Sequence, residues 1–284
     1  MTLAGLGWLP WRAALVLTAI ALVAMTALWL IPRTRSKSRI LGEIALILGL
    51  YAVWQVIAAL SKAGVDQAAA SGLWIADLEA ALRWPSEAAM QQMVLGNSAI
   101  VSFADLYYTS LHIPVFVVTL AWVLFFHRRD WPFARTVTVL LTGACLLLQF
   151  KAVAPPRLLP ELGIVDTAAV NGRSVYAAVA DANQLAAMPS VHIAWACLVA
   201  LLVIVSARTS WRWLAIAYPL LTLWVVVVTG NHFILDGVVS VILLGAAVAV
   251  TLLFPSQRPE RLSFDDEISA SDASRYPDGD RLSR

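Results

Sequence analysis

The chain has 284 residues, of which 60% are hydrophobic and only 13% are charged, and its mean hydropathy is +0.77. A soluble domain is usually about half apolar and about a quarter charged, so this composition excludes an ordinary soluble protein and predicts an integral membrane protein. The net charge of +2, with no run of basic residues interleaved with aromatic ones, argues against nucleic acid as a partner.

Seven apolar stretches approach the length of about 20 residues that a transmembrane helix needs. In chain order they are residues 11–31, 40–61, 106–126, 134–152, 190–206, 212–229 and 235–254. We therefore predict an all-α, polytopic transmembrane helical bundle of about seven spans. Two N-terminal helices occupy residues 1–61, and a five-span catalytic core occupies residues 106–254.

The connection at residues 62–105 is predicted to be an outer segment that lies in the membrane interface. Apolar residues recur there at helical spacing: Trp74, Ile75, Leu78 and Leu82. Charged residues lie between them: Asp77, Glu79 and Arg83. This pattern is typical of an interfacial helix, and a second one is predicted around Met90. Residues 255–284 are polar and rich in Ser, Asp and Arg, which predicts a disordered tail.

Basic residues follow alternate spans, which indicates the orientation. The clusters are Arg33 to Arg39, His127 to Arg135, Arg208 with Arg212, and Arg258 with Arg261. If these loops are cytoplasmic, the N-terminus is outside, the C-terminus is cytoplasmic, and the predicted location is the plasma membrane. The cysteines, Cys145 and Cys197, lie inside apolar stretches, which favours packing over a disulfide or a zinc site.

This topology puts three polar segments at the outer ends of the spans. They are Lys151 to Arg157 after the fourth span, Pro189 to His192 opening the fifth, and His232 to Asp236 opening the seventh. Two cations, Lys151 and Arg157, are suited to holding a phosphate. Pro189 and Ser190 are typical of a helix start, where backbone N–H groups favour an anion.

The two histidines supply what phosphoryl transfer requires. His232 is predicted to attack phosphorus, with Asp236 four residues later fixing its tautomer and stabilising the imidazolium. His192 is predicted to protonate the departing oxygen and then to activate the acceptor. The scheme needs no metal and no cofactor.

Each of these residues also has a structural interpretation. His232 could cap a span at the water interface, and Lys151 could extend from the fourth span towards the lipid headgroups. Arg157 could serve lipid headgroups instead of a substrate. Tyr108 and His112 are four residues apart near the outer end of the third span, where a hydrogen-bonded pair and a substrate contact are both open.

The pattern Pro189-Ser190-Val191-His192 followed by Asn231-His232-x-x-x-Asp236 resembles the type 2 phosphatidic acid phosphatase superfamily. The resemblance covers residues 105–254. Within the superfamily the chain is most similar to the inositolphosphotransferase branch, which includes inositol phosphorylceramide synthase. Three features support the similarity to this branch: Ala154-Pro155-Pro156-Arg157, Ser190-Val191-His192-Ile193-Ala194, and Tyr107-Tyr108 ahead of His112.

The resemblance implies a catalytic set of His232 as nucleophile, Asp236 as orienting acid and His192 as general acid. It also implies phosphate binding at Arg157 and Ser190, to which Lys151 is added here. We take Tyr108, His112, Asn231 and Arg173 as candidate substrate contacts.

The motifs also depart from the phosphatase pattern. Val191 replaces a glycine, Leu158 replaces a proline, and five residues rather than six separate the lysine and arginine of the first motif. Val226 stands where the third motif has an arginine, for which Arg173 is a candidate replacement. These departures argue against simple phosphatidic acid hydrolysis and favour the transferase branch.

The sequence thus predicts a membrane enzyme that cleaves a lipid phosphate or phospholipid on the outer face through a phosphohistidine. It leaves open whether the acceptor is water or an alcohol, which lipid is the donor, and the oligomeric state. The rival interpretation is a non-catalytic protein that binds or transports lipids through the same polar pocket.

Overall fold

The computed structural model describes residues 11–31, 35–60, 64–170 and 184–260. The described chain is α-helical and contains no strand, and the pairing of Val153 with Ala186 is an isolated bridge. The predicted all-α membrane bundle is confirmed.

The first seven helices run from the N-terminus to the middle of the chain. They are α1 (Trp11–Leu30), α2 (Arg35–Leu60), α3 (Val65–Ala81), α4 (Glu87–Leu95), α5 (Ser98–Leu106), α6 (His112–Phe126) and α7 (Trp131–Leu148). A π-helical turn, Tyr107–Leu111, joins α5 to α6. Further along are α8 (Thr167–Val170), α9 (Val191–Ser206), α10 (Ala217–Val228) and α11 (Ile234–Leu252). Short 3₁₀ turns lie at Pro156–Leu158, Pro160–Leu162, Ser210–Ile216 and Pro255–Gln257.

Four helical segments of the described chain are long and apolar enough to cross a membrane: Arg12–Leu30, Trp131–Leu148, Ser210–Val228 and Ile234–Leu252. A fifth is formed if Ser98–Ser110 and His112–Phe126, which meet at a 49° bend, are one span. Two further apolar helices, Leu41–Val53 and Val191–Ser206, are shorter. The seven predicted stretches fall on these helices, and the protein is an integral membrane protein.

The helices α6, α7, α9 and α11 pack around one apolar core. Its buried residues include Phe133, Leu141, Leu198 and Leu202. Helices α9 and α11 approach closely at Gly237, where a Cβ would lie 2.8 Å from the Cδ1 atom of Ile193. This close approach brings the first turns of α9 and α11 together. By contrast, α1 and α2 pack mainly against each other.

One end of the bundle gathers several of the basic residues. Glu260 forms salt bridges with Arg129 (2.7 Å) and Arg208 (3.4 Å), and its backbone N–H donates to Asp130 (2.9 Å). The C-terminal ends of α6, α9 and α11 therefore lie at the same end of the bundle. Residues 255–260 take part in these contacts, whereas residues 261–284 of the predicted tail lie outside the described residues.

Helix α3 buries small residues, and two of the large apolar residues in its sequence pattern are exposed. Ala68, Gly72, Ile75 and Glu79 are buried, whereas Trp74 is 61% and Leu82 is 50% exposed. The reason is a close backbone contact: the Ala154 N–H donates to the Ala68 carbonyl at 3.0 Å. A Cβ on Gly72 would lie 2.7 Å from the Ala154 carbonyl oxygen. The small face of α3 therefore packs against the chain that leads to Arg157.

Candidate active site

The three polar segments singled out in the sequence lie together at the other end of the bundle. The Arg157 N–H donates to the Gly230 carbonyl at 2.9 Å, which joins the first segment to the third. The Ser240 hydroxyl donates to the Ser190 carbonyl at 2.8 Å, which joins the second segment to α11. These contacts place Arg157, His192 and His232 around one region.

A tight turn after α10 presents His232 to this region. The N–H groups of Asn231 and His232 both donate to the Val226 carbonyl, at 3.0 and 3.2 Å. Gly230 has a φ of +68°, which glycine adopts readily. A Cβ on Gly230 would also lie 2.7 Å from Ile164 and 3.0 Å from the Arg157 Cβ. The turn can therefore close against Arg157 only with glycine at this position.

The Nδ1 atom of His232 faces two acceptors. It lies 2.8 Å from the Ala187 carbonyl oxygen and 3.2 Å from Asp236 Oδ2. A carbonyl oxygen only accepts, so Nδ1 carries the proton and Nε2 keeps its lone pair. Burial lowers the pKa of His232 to about 4, an effect that the Ala187 hydrogen bond opposes. The ring is therefore neutral at pH 7, as a nucleophile must be.

His192 is the second residue of α9 and lies near His232, with the two ring centroids 5.8 Å apart. Its helix begins as the sequence predicted, because Ser190 is the N-cap and its hydroxyl oxygen accepts from the Ile193 N–H at 3.3 Å. Ser190 is fully buried. Its side chain therefore caps the start of α9, while phosphate binding by Ser190 stays a prediction.

An aromatic wall supports His192. The Tyr108 ring stacks on the His192 ring with centroids 4.4 Å apart, and the centroid of His112 lies 4.7 Å from that of His192. Both nitrogens of the buried His112 ring lack a hydrogen-bond partner among the described residues. Tyr108 and His112 are therefore not a hydrogen-bonded pair, and both rings border the histidine cluster instead.

Arg157 is buried and held by two side chains. Its Nε donates to Asn231 Oδ1 at 2.9 Å, and its Nη1 pairs with Asp166 Oδ2 at 3.1 Å. Asn231 is itself fixed by donating to the Thr229 hydroxyl oxygen at 2.8 Å. The charge of Arg157 also contributes to the lowered pKa of His232. The guanidinium is thus a fixed positive charge next to the candidate nucleophile.

Two further cations, Lys151 and Arg173, were predicted to bind the substrate. Lys151 is exposed in the turn after α7. Arg173 lies outside the described residues. Val226, which stands where the family pattern has an arginine, is buried in an apolar cluster with Ile193 and Val225. Among the described residues Arg157 is the only buried Arg or Lys.

Two acidic residues outside the sequence motifs also contact the start of α11. Glu79 of α3 accepts from the Leu235 N–H, and Glu87 of α4 accepts from the Ile234 N–H at 3.3 Å. Glu79 shares the buried face of α3 with Gly72 and Ile75, a spacing visible in the sequence. Among the described residues, no group of three His, Cys, Asp or Glu is arranged to hold a metal ion.

Comparison with known proteins agrees with this geometry. The family model described as the PAP2 superfamily matches residues 73–250, which is more than half of the chain. The chain belongs to the PAP2 superfamily. Its members are phosphatases or phosphotransferases, so membership supports an enzyme that cleaves phosphoric esters. Neither the curated proteins nor the solved structures contain a match.

The match confirms the superfamily that the motifs resembled, while the inositolphosphotransferase branch stays a prediction. The matched region begins at residue 73, earlier than the resemblance over residues 105–254. It therefore includes the second half of α3 and all of α4, which carry Glu79 and Glu87.

Proposed function

We propose that this membrane protein cleaves a phosphate ester of a lipid through a covalent phosphohistidine at His232. The observation that supports this most directly is the hydrogen bonding of His232. Its Nδ1–H is held by Ala187 and Asp236, which leaves the Nε2 lone pair for attack. A nucleophile oriented by a second group, which is in turn fixed in place, is the usual arrangement for covalent catalysis.

In the first step the His232 Nε2 lone pair forms a bond to phosphorus, and the bond from phosphorus to the lipid oxygen breaks. His192 donates a proton to that departing oxygen, so the lipid leaves as a neutral alcohol. Asp236 stabilises the positive charge that develops on the His232 ring. Arg157 balances the negative charge on the phosphoryl oxygens, since its guanidinium is fixed beside the nucleophile.

In the second step an acceptor hydroxyl attacks phosphorus, the bond from phosphorus to Nε2 breaks, and His192 takes the hydroxyl proton. Water as acceptor gives a hydrolase, and an alcohol gives a transferase. We favour transfer of a phospho-headgroup, as in the inositolphosphotransferase branch. A phosphodiester carries one negative charge where a monoester carries up to two, and one buried cation is described at the site. A single guanidinium suits the diester better.

We place the reaction at the level of the lipid headgroups, on the outer face of the plasma membrane. The basic residues Arg129 and Arg208 lie at the opposite end of the bundle from His232. Positively charged loops usually face the cytoplasm. The site end would then face outward, with the substrate entering from the outer leaflet.

The experiment that tests the proposal is a trapping experiment on purified protein. We would incubate it with phosphorus-labelled phospholipids and polyprenyl phosphates, quench at alkaline pH, and look for an acid-labile phospho-enzyme. The wild type should accumulate label and release a lipid alcohol, and His232→Ala should do neither. His127→Ala, at the opposite end of the bundle, is the control. A non-catalytic lipid-binding protein would bind the lipids equally well with or without His232 and release no product.

We also expect turnover to survive removal of divalent metals. The acidic side chains nearest the nucleophile, Asp236, Glu79 and Glu87, each accept a backbone N–H at the start of α11. They are therefore engaged in holding the helix. Activity measured in excess EDTA should match that in buffer alone. Complete loss that magnesium restores would move the mechanism to metal-assisted transfer.

A further inference from the structure

The start of α11 is capped by three carboxyl groups from three different places in the chain. The first N–H groups of a helix have no partner within the helix. Here the Phe233 N–H donates to Asp236 at 2.9 Å, the Ile234 N–H to Glu87, and the Leu235 N–H to Glu79. The two glutamates come from α3 and α4, so the helix that carries Asp236 is held by residues distant in sequence.

Glu79 and Glu87 lie side by side in a buried position. Glu79 is 3% and Glu87 is 8% exposed, and their Oε1 atoms accept from the N–H groups of two consecutive residues, Leu235 and Ile234. The Oε2 atom of Glu79 is buried and has no hydrogen-bond partner among the described residues. Two carboxylates offer only acceptors, so a hydrogen bond between them requires a proton on one of them. Among the described residues neither glutamate forms a salt bridge. A shared proton is therefore what keeps two acidic groups stable side by side.

The carboxyl groups near Glu79 favour its protonated form. The pKa of Glu79 is raised to about 9, mainly by burial and also by the neighbouring Glu87 and Asp236, while the hydrogen bond from the Leu235 N–H opposes this increase. Glu87 faces Glu79 from α4, and Asp236 faces it from α11. His232 is the next titratable group, since it bonds to Asp236. At neutral pH Glu79 thus keeps its proton and donates it to Glu87.

We propose that Glu79 and Glu87 form a proton-sharing pair that positions the first turn of α11, and with it the bond between Asp236 and His232. The inference rests on the proposed function, because it assigns these glutamates to the same site. They are positioning residues. They touch the backbone of residues 234 and 235, and they act on the reaction through Asp236.

Loss of the shared proton would disturb that first turn. Two adjacent carboxylates repel each other, and both lie near Asp236, whose Oδ2 atom bonds both His232 Nδ1 and the Phe233 N–H. A shift of this turn would move Asp236 away from His232. We therefore expect turnover to fall as the pH rises through about 9, the pKa of Glu79.

Substitutions at Glu79 separate a role for the proton from a role for the charge. Glu79→Gln keeps an oxygen that accepts from the Leu235 N–H and an N–H that donates to Glu87. Glu79→Leu removes both groups and leaves Glu87 buried without its partner. We expect kcat within about threefold of wild type for E79Q. For E79L we expect a loss of about 100-fold, the size of effect that a displaced catalytic group gives. Asp77→Leu, at an exposed position of the same helix, is the matched control.

The pH profile is the readout that a purely structural role would not change. In the wild type the fall of turnover at alkaline pH should lie near pH 9. The E79Q variant has no carboxyl proton to lose at this position, so its turnover should not fall there. This comparison uses E79Q and the wild type, so it holds even if E79L cannot be purified. An unchanged alkaline fall in E79Q, or an activity as low in E79Q as in E79L, would overturn the proposal.

A second readout does not depend on turnover. Amide hydrogen exchange of a peptide covering residues 231–237 should be faster in E79L than in the wild type, and unchanged in E79Q and D77L. If no lipid is turned over by any variant but E79L still exchanges faster, the proposed function fails while the pair stands. If exchange is equal in E79L and the wild type, the pair does not hold the start of α11 and the inference fails.

Discussion

At the scale of single residues, His192 is distinguished from His232 by its neighbours. His232 has a carbonyl and a carboxylate at Nδ1, whereas His192 has the rings of Tyr108 and His112 against it. Among the described residues no carboxylate is bonded to the His192 ring, whereas Asp236 is bonded to the His232 ring. This surrounding suits a group that passes a proton and returns to neutral, which is the role of a general acid and base.

We therefore expect His192→Ala to slow turnover by about 10²–10⁴-fold, the usual contribution of a general acid. A substrate with a good leaving group, such as a nitrophenyl phosphodiester, needs less protonation. It should partly restore phospho-enzyme formation in the His192 variant and have no effect in His232→Ala. Burst kinetics with both substrates measure this. Rescue of the His232 variant instead would reverse the two assignments.

Arg157 offers a second test at this scale. Its planar guanidinium donates a hydrogen bond to Asn231 and forms a salt bridge with Asp166 at the same time. A lysine ammonium cannot reproduce that geometry. We expect Arg157→Lys to lower kcat/KM by about 10–100-fold, the range for loss of a hydrogen bond to a charged group. Arg129→Lys, at the other end of the bundle, serves as control. Equal kcat/KM for Arg157→Lys and the wild type would show that Arg157 does not bind the phosphate.

Helix α3 shows what a local sequence pattern predicts and what it leaves out. The apolar spacing predicts a helix, but it does not predict which residues pack inside the protein. In a membrane protein the large apolar side chains of a helix can face lipid, and small residues then pack inside. Trp74 and Leu82 are exposed, while Gly72 and Glu79 are buried. The spacing of the bulky residues therefore predicts the helix without showing that Gly72 and Glu79 pack inside.

The close contact at Gly72 gives a prediction for this element. A Cβ there would lie 2.7 Å from the Ala154 carbonyl oxygen, a backbone atom that cannot move alone. We expect Gly72→Ala to destabilise the protein by about 1–3 kcal/mol, as other overpacked sites do. Gly143→Ala is the matched control, because a Cβ there meets nothing within 4 Å. Thermal unfolding in detergent compares them; equal melting temperatures would contradict the packing of α3 on residue 154.

The orientation of the bundle in the membrane can be tested by labelling introduced cysteines. Arg128 and Glu161 are both exposed and lie at opposite ends of the bundle. Cysteines placed at these two positions should react with a membrane-impermeant maleimide from opposite sides. In intact cells only Glu161→Cys should react, since the site end is proposed to face outward. The wild type is the control, because its two cysteines, Cys145 and Cys197, lie within helices. If only Arg128→Cys is labelled in intact cells, the orientation of the protein is the opposite of the one proposed.

The bundle and much of the candidate site follow from the sequence, because both depend on local patterns. Apolar length predicts the helices, and Pro189-Ser190 predicts the start of α9. His232 with Asp236 is likewise a local pair, four residues apart. The contacts of Glu79 and Glu87 with α11 join residues 156 and 147 positions apart. No local pattern predicts such pairs, since the packing of α3 and α4 on α11 creates them.

The ion pair between Arg157 and Asp166 has a consequence for how often the enzyme could turn over. An incoming phosphate would meet a guanidinium whose Nη1 atom is already bonded to a carboxylate, so part of its positive charge would already be balanced. The affinity gained would then be smaller than at an arginine without a carboxylate, and product would depart more easily. If the substrate is a membrane lipid, as proposed, it would be abundant at the membrane surface, where tight binding adds little to the rate and slow release can limit it. A resident carboxylate beside the arginine would thus favour fast release over strong binding.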